Sequence, residues 1–347
     1  MQEHHITTTI NSGLYTQIVL LSVASFMLAM ILTPVYTYIA YRYKFWKKQR
    51  QTSTTGEALE VFTKLHANKF KRSIPTMAGA IAVLTITLIT VVFNLDRGQT
   101  WLPLAALVGG GAVGILDDII NIRGNGKGVA GLRSSIKFIM ITLIGLILGW
   151  FFYQKLGLTT VYIPFYGAID VGVLIIPLFA FVVTATGNAV NISDGLDGLA
   201  GGLLSASFGA FGVIAILQEK FMLAGFCFTV IGALLSYLWF NIHPARFFMG
   251  DVGSFAYGVS LGVVAMLTNS LLLLPIIGML FVIEAGSSLI QITSKRFLGK
   301  KIFISAPIHH HLEALGWPET KVTMRFWVIA MVAAYLGVLI AVTGGQV

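Results

Sequence analysis

Amide and carboxylate side chains recur at every third residue in one segment of an otherwise apolar chain, at Asn188, Asn191, Asp194 and Asp197. Polar side chains in membrane-embedded sequence cost free energy, so they are usually retained for a function. If the backbone is helical, this spacing places the four residues along one drifting stripe. The glycines that follow Asp194 favour a broken or closely packed helix start instead, where the backbone can approach a ligand. A capping turn, the third interpretation, would use only one or two of the four side chains.

Carboxylates also lie at the ends of two other apolar stretches, as the pair Asp117-Asp118 and as Asp251. Taken alone, the pair could be solvated acids at an interfacial helix end. If these carboxylates converge, they would repel phosphate unless a cation bridged them. Mg²⁺ does so with one or two carboxylates and substrate phosphate oxygens as its ligands. The pattern therefore predicts magnesium-assisted chemistry on a phosphorylated lipid at the membrane face.

A short loop over residues 241–254 carries groups suited to a nucleotide. Gly250 permits close approach of the backbone to a phosphate or a metal, next to Asp251. The ring of Phe248 could stack on a base. Alternatively, Phe248 is an interfacial aromatic anchor.

Three consecutive histidines, His309, His310 and His311, lie in a basic loop near the end of the sequence. Three adjacent side chains cannot easily all ligate one metal ion. Neutral imidazoles that hydrogen-bond a phosphate or a sugar fit this run better than a zinc site does.

The composition shows which kind of element must position these groups. Hydrophobic residues make up 56% of the chain and charged residues 11%, and the mean hydropathy is +0.84. Most of its ten apolar stretches are long enough to cross ~30 Å of hydrocarbon as helices. We predict an all-α polytopic membrane protein with about ten transmembrane helices, near residues 14–41, 75–94, 100–116, 136–153, 171–189, 199–217, 221–240, 254–268, 271–293 and 324–343. The eighth and ninth stretches are divided only by the turn signal Asn269-Ser270.

The distribution of basic residues predicts the orientation. With the N terminus outside, the predicted inside loops contain 20 of the 23 Lys and Arg residues. Because such residues accumulate in cytoplasmic loops, we predict an N-out/C-out protein with its active site at the cytoplasmic face. The net charge of +9 suits membrane lipids with anionic headgroups or phosphorylated substrates there. Nothing in the sequence resembles a base-reading module, so no nucleic-acid partner is expected.

No repeat, low-complexity stretch or long linker divides residues 1–347, so we predict a single integral membrane domain. The lone Cys227 excludes an intrachain disulfide and a cysteine-based metal site. A transporter or channel would require ionisable residues near mid-membrane. Glu284 is the acidic candidate at that depth, and an interhelical hydrogen bond is its more ordinary role. A catalytically inactive lipid-binding protein would have no need for the carboxylates at 117, 118 and 251.

Four segments together resemble the polyprenyl-phosphate N-acetylhexosamine-1-phosphate transferase superfamily. They are Asp117-Asp118, residues 188–199, residues 248–254 and residues 307–313. The resemblance extends over nearly the whole chain, from Pro75 to Trp327. The triple histidine favours the branch that uses UDP-N-acetylmuramoyl-pentapeptide. The alternative is the sister branch, the polyprenyl-phosphate transferases of N-acetylglucosamine 1-phosphate from its UDP-linked donor.

The resemblance implies an Mg²⁺-dependent phosphoglycosyl transferase of the bacterial inner (plasma) membrane. UDP-N-acetylmuramoyl-pentapeptide and undecaprenyl phosphate would give lipid I and UMP in the first membrane step of peptidoglycan synthesis. A homodimer is expected by the same analogy.

The resemblance also implies roles for individual residues. Asp251 would ligate Mg²⁺, Asp117 is a candidate base for the lipid phosphate, and Asp118 would support that site. Phe248 would stack on uracil, and His309, His310 and His311 would act catalytically at the sugar or phosphate end of the substrate. The remaining substrate-binding residues would be Lys71, Lys137, Asn188, Asn191, Asp194, Asp197, Asn241 and Gly250.

The chain departs from the superfamily pattern at three places. Residues 73–79 read Ser-Ile-Pro-Thr-Met-Ala-Gly where Gly-Thr-Pro-Thr-Met-Gly-Gly is frequent. Asn121 replaces a usual lysine, and Val129-Ala130-Gly131 replaces Asn-Lys-Gly, with Lys127 displaced upstream. These changes affect lysines expected to contact phosphate, so they bear on the specificity for the sugar-peptide.

Overall fold

The computed structural model describes residues 2–46, 73–124 and 131–347, with side chains from Ser12 onwards. Lys71, predicted to help hold the nucleotide, lies outside the described residues, as do Lys127 and Ala130. The described chain is a bundle of apolar helices. They are α1 (Gln2–Arg42), α2 (Gly79–Phe93), α3 (Trp101–Arg123), α4 (Ser134–Leu156), α5 (Ile175–Ser193), α6 (Leu199–Leu217), α7 (Phe221–Asn241), α8 (Gly250–Leu267), α9 (Leu274–Ile277), α10 (Met279–Leu298), α11 (Ile308–Ala314) and α12 (Glu319–Thr343).

Within the described ranges, eight of these helices are long and apolar enough to cross a membrane. A ninth candidate consists of the 3₁₀ turn Leu271–Leu273 with α9 and α10, and α2 is a shorter apolar helix of 15 residues. The protein is therefore a multi-pass helical membrane protein. Each of the ten predicted apolar stretches overlaps one of these helices or, for the ninth, the bent pair.

The structure corrects three predicted helix boundaries. Helix α3 continues to Arg123 rather than ending near 116, so Asp117 and Asp118 lie within the helix. Helix α8 begins at Gly250 rather than 254, which places Asp251 in its first turn. The stretch 271–293 is not one straight helix, because it bends by 81° at Gly278. Polar residues led the hydropathy pattern to end α3 too early and to begin α8 too late, although buried polar side chains continue both helices.

A small β-hairpin, which was not predicted, accompanies the helices. Strands β1 (Thr160–Ile163) and β2 (Gly167–Asp170) pair antiparallel, with Val161 opposite Ile169. The backbone N–H of Tyr162 donates to Oδ1 of Asn269 over 3.0 Å. The hairpin therefore covers the turn between α8 and α9. Strands of four residues are too short for an alternating pattern to distinguish them from a loop.

Helix α8 is the centre of the bundle: its 18 residues are all buried, and it packs chiefly against α3 and α5. Small residues permit this close approach. A Cβ on Gly114 of α3 would overlap the backbone of α8 at Asp251, and one on Gly258 of α8 would lie 2.7 Å from the carbonyl oxygen of Thr186 on α5. The packing therefore brings together the ends of helices that carry the predicted polar residues.

Candidate active site

Three buried carboxylates meet where α3 contacts the start of α8. Asp117, Asp118 and Asp251 each offer an oxygen, and these atoms lie within 4.8 Å of one another. The Nζ of Lys137, at the start of α4, is 3.0 Å from Oδ2 of Asp251 and 3.4 Å from Oδ1 of Asp117. Three ionised carboxylates and one ammonium leave two negative charges among these four side chains, which is the charge that a divalent cation would neutralise. Carboxylate oxygens are also the ligands that Mg²⁺ prefers.

The two adjacent aspartates of α3 have different neighbours, because consecutive residues of a helix point about 100° apart. Oδ1 of Asp117 accepts a hydrogen bond from the backbone N–H of Leu132 over 2.6 Å. Gly131 has a positive φ of 90°, and a Cβ there would lie 2.6 Å from the same oxygen. Oδ2 of Asp118 accepts from the backbone N–H of Val252 over 3.1 Å. Asp117 is thus fixed by the segment before α4, and Asp118 by the first turn of α8.

Gly250 is a second position, besides Gly131, at which the backbone closely approaches a carboxylate. Its φ is +75°, and an added Cβ would lie 2.6 Å from Oδ2 of Asp118 and 2.8 Å from the backbone nitrogen of Met77. The adjacent backbone is held by hydrogen bonds from the N–H of Phe248 to the carbonyl of Pro75 over 2.8 Å and from the N–H of Ala78 to the carbonyl of Phe248 over 3.0 Å. The segment before α2 therefore forms one wall of the carboxylate site.

The polar stripe predicted on residues 188–197 is helical only in its first half, because α5 ends at Ser193. The amide of Asn191 donates to Oγ of Ser254 on α8 over 2.8 Å, one turn after Asp251. The amide of Asn188 donates to the carbonyl of Thr184 in its own helix over 2.8 Å. Asn191 thus connects α5 to the carboxylate site, and Asn188 is held along α5.

Asp194 and Asp197 lie in the turn between α5 and α6, which we call the 194–198 turn. Asp194 is the C-cap of α5 and is partly exposed, whereas Asp197 is 2% exposed. Oδ2 of Asp197 accepts from the backbone N–H of Ala245 over 3.0 Å and lies 3.0 Å from Nδ1 of His243. Its own N–H donates to Oε1 of Glu319 over 2.6 Å. The structure therefore gives Asp197 a bracing role in addition to any contact with substrate.

His243 and Glu319 were missed by the sequence reasoning. With Asp197 they form a second group of ligand atoms within 4.8 Å of one another. The hydrogen bonds of Asp197 with His243 and Glu319 are enough to explain why these atoms lie close together, so no ion is needed. Little in the sequence indicated them, because a histidine before a proline in a loop and a glutamate at a helix start are both common. Their partner Asp197 is more than forty residues away from each in sequence.

Asn241, at the end of α7, also braces the 194–198 turn. Its Oδ1 accepts from the backbone N–H of Gly198 over 2.8 Å, and its Nδ2 donates to the carbonyl of Phe247 over 2.9 Å. Phe247 is buried against aromatic rings, whereas Phe248 is only partly buried. Of the two phenylalanines, Phe248 is therefore the more exposed.

The three histidines lie on the short helix α11 and point to different partners. Nδ1 of His309 is 2.7 Å from Oε2 of Glu284 on α10, and Nδ1 of His310 is 2.7 Å from Oε2 of Glu313. Nδ1 of His311 accepts from the backbone N–H of Ile304 over 3.2 Å. Burial, together with the neighbouring His309, lowers the pKa of His310 below its ordinary value. The three Nδ1 atoms therefore contact three different partners.

Comparison with known sequences identifies the group to which this arrangement belongs. The profile of glycosyl transferase family 4 matches residues 100–269, which include all three clustered carboxylates. A phospho-N-acetylmuramoyl-pentapeptide-transferase of Chloroflexus aggregans is 38% identical over 94% of this chain and 90% of its own length. The chain belongs to the phospho-N-acetylmuramoyl-pentapeptide-transferase family. Relatives with the same name in Geobacillus thermodenitrificans and Clostridium perfringens are 38% and 37% identical over 94% and 92% of the chain.

The family assignment confirms the resemblance inferred from the four segments, including the branch that the triple histidine favoured. The relatives match over most of their own length, 98% and 95% for those of Geobacillus thermodenitrificans and Clostridium perfringens. Alignment over this length extends well beyond the part matched by the glycosyl transferase profile.

Proposed function

We propose that this protein transfers phospho-N-acetylmuramoyl-pentapeptide from its UDP-linked donor to undecaprenyl phosphate, which gives lipid I and UMP. The observation that carries the proposal is the meeting of Asp117, Asp118 and Asp251 with Lys137 in a chain that belongs to this family. A phosphoglycosyl transferase is also the activity that the names of its relatives state.

In this reaction an oxygen of the lipid phosphate attacks the donor phosphorus that bears the sugar. A new phosphorus–oxygen bond forms, the bond to the uridine phosphate breaks, and UMP leaves with the electron pair. Both reactants are anions, so the catalyst must mainly position them and neutralise charge. A cluster of fixed carboxylates with a lysine at its edge can position the reactants and neutralise their charge once a cation is bound to the carboxylates.

The carboxylates fit Mg²⁺ in number, donor type and charge. We propose that Asp251 is a ligand, with Asp117 and Asp118 beside it, and that Lys137 contacts phosphate once the ion balances the carboxylates. When bound, Mg²⁺ would supply electrostatic neutralisation of the phosphates. The role of Asp117 is to orient the lipid phosphate and to accept its proton when that phosphate is protonated. Gly250 allows the backbone at the start of α8 to lie close against Asp118 on this side of the site.

The nucleotide and the sugar would lie on the side of the 194–198 turn. Phe248 would offer its ring to uracil, and Asn191, which donates to Ser254 near the carboxylates, and Asp194 would line the nucleotide region. The other proposed contacts are those of Asn188, Asp197, Asn241 and Lys71 with the nucleotide region and of His309, His310 and His311 with the sugar or phosphate end.

The orientation belongs to the same proposal. We infer ten membrane spans with both termini outside and the active site at the cytoplasmic face of the bacterial plasma membrane, because 20 of 23 basic residues lie in alternate loops. The chain would act as one transferase domain, and as a homodimer by family analogy.

The deciding experiment measures UMP release by purified protein given undecaprenyl phosphate, with UDP-N-acetylmuramoyl-pentapeptide or UDP-N-acetylglucosamine as donor. We expect turnover of the pentapeptide donor only, its loss on chelation of Mg²⁺, and its loss in Asp251→Asn. Asp170→Asn, an exposed aspartate of the β-hairpin, is the matched control and should retain full activity. Turnover of only the other donor would assign the sister activity, and none with either would refute the proposal.

A further inference from the structure

One face of α10 carries a stripe of polar side chains at positions 284, 287, 291 and 294. Residues three and four apart share a helix face, so this spacing runs the length of the helix along one side. All four side chains, Glu284, Ser287, Gln291 and Ser294, belong to buried residues. Polar side chains on an apolar helix are costly unless they are bonded, so their partners indicate their purpose.

The partners of this stripe lie in the segment between residues 300 and 309. Ser294 donates to the carbonyl of residue 300 over 2.8 Å, and Oε1 of Gln291 accepts from the backbone N–H groups of residues 302 and 303, each over 3.0 Å. Oγ of Ser287 accepts from the backbone N–H of Ile308 over 2.9 Å. Helix α10 therefore holds the segment that leads into the three histidines by hydrogen bonds along its length.

The last member of the stripe reaches a histidine directly. Oε2 of Glu284 and Nδ1 of His309 are 2.7 Å apart, and both side chains are completely buried. If Glu284 is ionised, its carboxylate can only accept a hydrogen bond, and Nδ1 would carry the proton in this pair. In the neutral ring Nε2 is then the acceptor, and the carboxylate fixes both the tautomer and the ring orientation.

The other edge of the His309 ring rests on the 194–198 turn. A Cβ on Gly195 would lie 2.8 Å from Cε1 of His309 and would overlap Nε2. The ring and the turn are thus in direct contact, with no room for any side chain at position 195. A rotation of the ring would displace the backbone that carries Asp194 and Asp197.

We infer that Glu284 is a positioning residue of the transferase: its carboxylate holds His309 with Nδ1 protonated and Nε2 against the 194–198 turn. The interhelical hydrogen bond expected for Glu284 is present, but its partner lies on the short helix α11 rather than on another membrane span. Glu284 acts on the reaction only through His309, and this inference about catalysis rests on the proposed function.

The direct test is the protonation of the two ring nitrogens of His309. Full-length protein labelled with ¹⁵N-histidine would be measured by NMR, and the signals of His309 assigned as those lost in His309→Gln. We expect a protonated Nδ1 and an unprotonated Nε2 in the unsubstituted protein at neutral pH. A His309 with Nε2 protonated and Nδ1 bare would overturn the inference, whatever the activity of any variant.

Kinetics provide the second test. Glu284→Gln keeps the shape of the side chain but can donate to Nδ1, so it should mix the tautomers and lower kcat about 10–100-fold, with little change in KM for undecaprenyl phosphate. Glu284→Asp retains the carboxylate and should recover part of the loss. Gly286→Ala, at an open position of the same helix, is the matched control and is expected to leave tautomer and kcat unchanged.

The outcomes separate this inference from the proposed function. Unchanged tautomer and unchanged kcat in Glu284→Gln would refute the positioning role, even though the protein remained an active transferase. If the unsubstituted protein failed to use UDP-N-acetylmuramoyl-pentapeptide, the proposed function would fail, while the NMR measurement would still decide the role of Glu284 in holding His309.

Discussion

Substitution of Gly250 by alanine should damage both stability and activity, for reasons that can be separated. The residue has a φ of +75°, a conformation that costs an L-residue with a Cβ roughly 1–2 kcal/mol. The added Cβ would also lie 2.6 Å from Oδ2 of Asp118 and 2.8 Å from the backbone nitrogen of Met77. Overpacking of this kind costs about 1–3 kcal/mol. The two contributions together predict a loss of roughly 2–5 kcal/mol in the free energy of unfolding.

Two other glycines serve as matched controls for the same change. Gly157, at the end of α4, has a φ of +65° and nothing within 4 Å of an added Cβ, so Gly157→Ala should show the backbone cost alone. Gly286, within α10, has ordinary helical backbone and open space, so Gly286→Ala should be neutral or slightly stabilising. The expected order of stability is therefore Gly286→Ala, then Gly157→Ala, then Gly250→Ala.

The assay is thermal unfolding in detergent together with UMP release under saturating donor. Because the clash falls on Asp118, we expect Gly250→Ala to lose about 100-fold in turnover, the size of effect that an ångström of misplacement causes. Both controls should keep full turnover. A Gly250→Ala protein that is as stable and active as Gly157→Ala would refute the reasoning about the close approach of the backbone to the carboxylates.

Three further predictions concern the same face of the protein. Lys137→Met removes the ammonium 3.0 Å from Asp251, so it should abolish activity. The carboxylates would then depend more on a cation, and thermal stability should respond more strongly to added Mg²⁺. An unchanged response to Mg²⁺ would contradict the proposal that the lysine and the ion together balance the carboxylate charge. Asn241→Leu leaves the buried N–H of Gly198 and the carbonyl of Phe247 without their side-chain partner. The free energy of unfolding, measured by denaturant titration, should fall by about 2–4 kcal/mol, and a loss under about 1 kcal/mol would refute the bracing role. The pKa of His310 is lowered below 6.5, so the unfolded chain binds a proton at higher pH than the folded chain does. Stability should fall as pH drops below 6.5, and this fall should be smaller in His310→Gln when unfolding is measured across that range.

The sequence predicted the membrane helices well, because hydropathy and length determine whether a segment can span the bilayer. The boundaries failed where function places polar residues inside helices, as at Asp117 and Asp251. The bend at Gly278 was not foreseen, since an apolar run carries no information about the angle between its halves. The hairpin at 160–170 was too short for its pattern to show.

The candidate site, like the fold, was predictable from the sequence only in part. The types and spacing of the aspartates predicted that carboxylates would converge, and the structure brings Asp117, Asp118 and Asp251 together. Sequence spacing could not show which groups hold these residues. His243, after α7, and Glu319, at the start of α12, meet Asp197 only through long-range packing, and Glu284 meets His309 only because the segment after α10 folds back along that helix. Such contacts depend on long-range packing rather than on local pattern.

The central position of α8 has a consequence for how the protein is made. Its 18-residue window has a mean hydropathy of 1.4, the lowest among the eight candidate spans in the described chain, and all of it is buried. Insertion of a segment from the translocon depends on its own apolarity, so α8 alone would partition into lipid less readily than any of the others. Helices α3 and α5, its chief neighbours, precede it in the chain and are synthesised first. We therefore expect α8 to enter the membrane against a surface that those helices have already built, so that a nascent chain lacking them would release it to water.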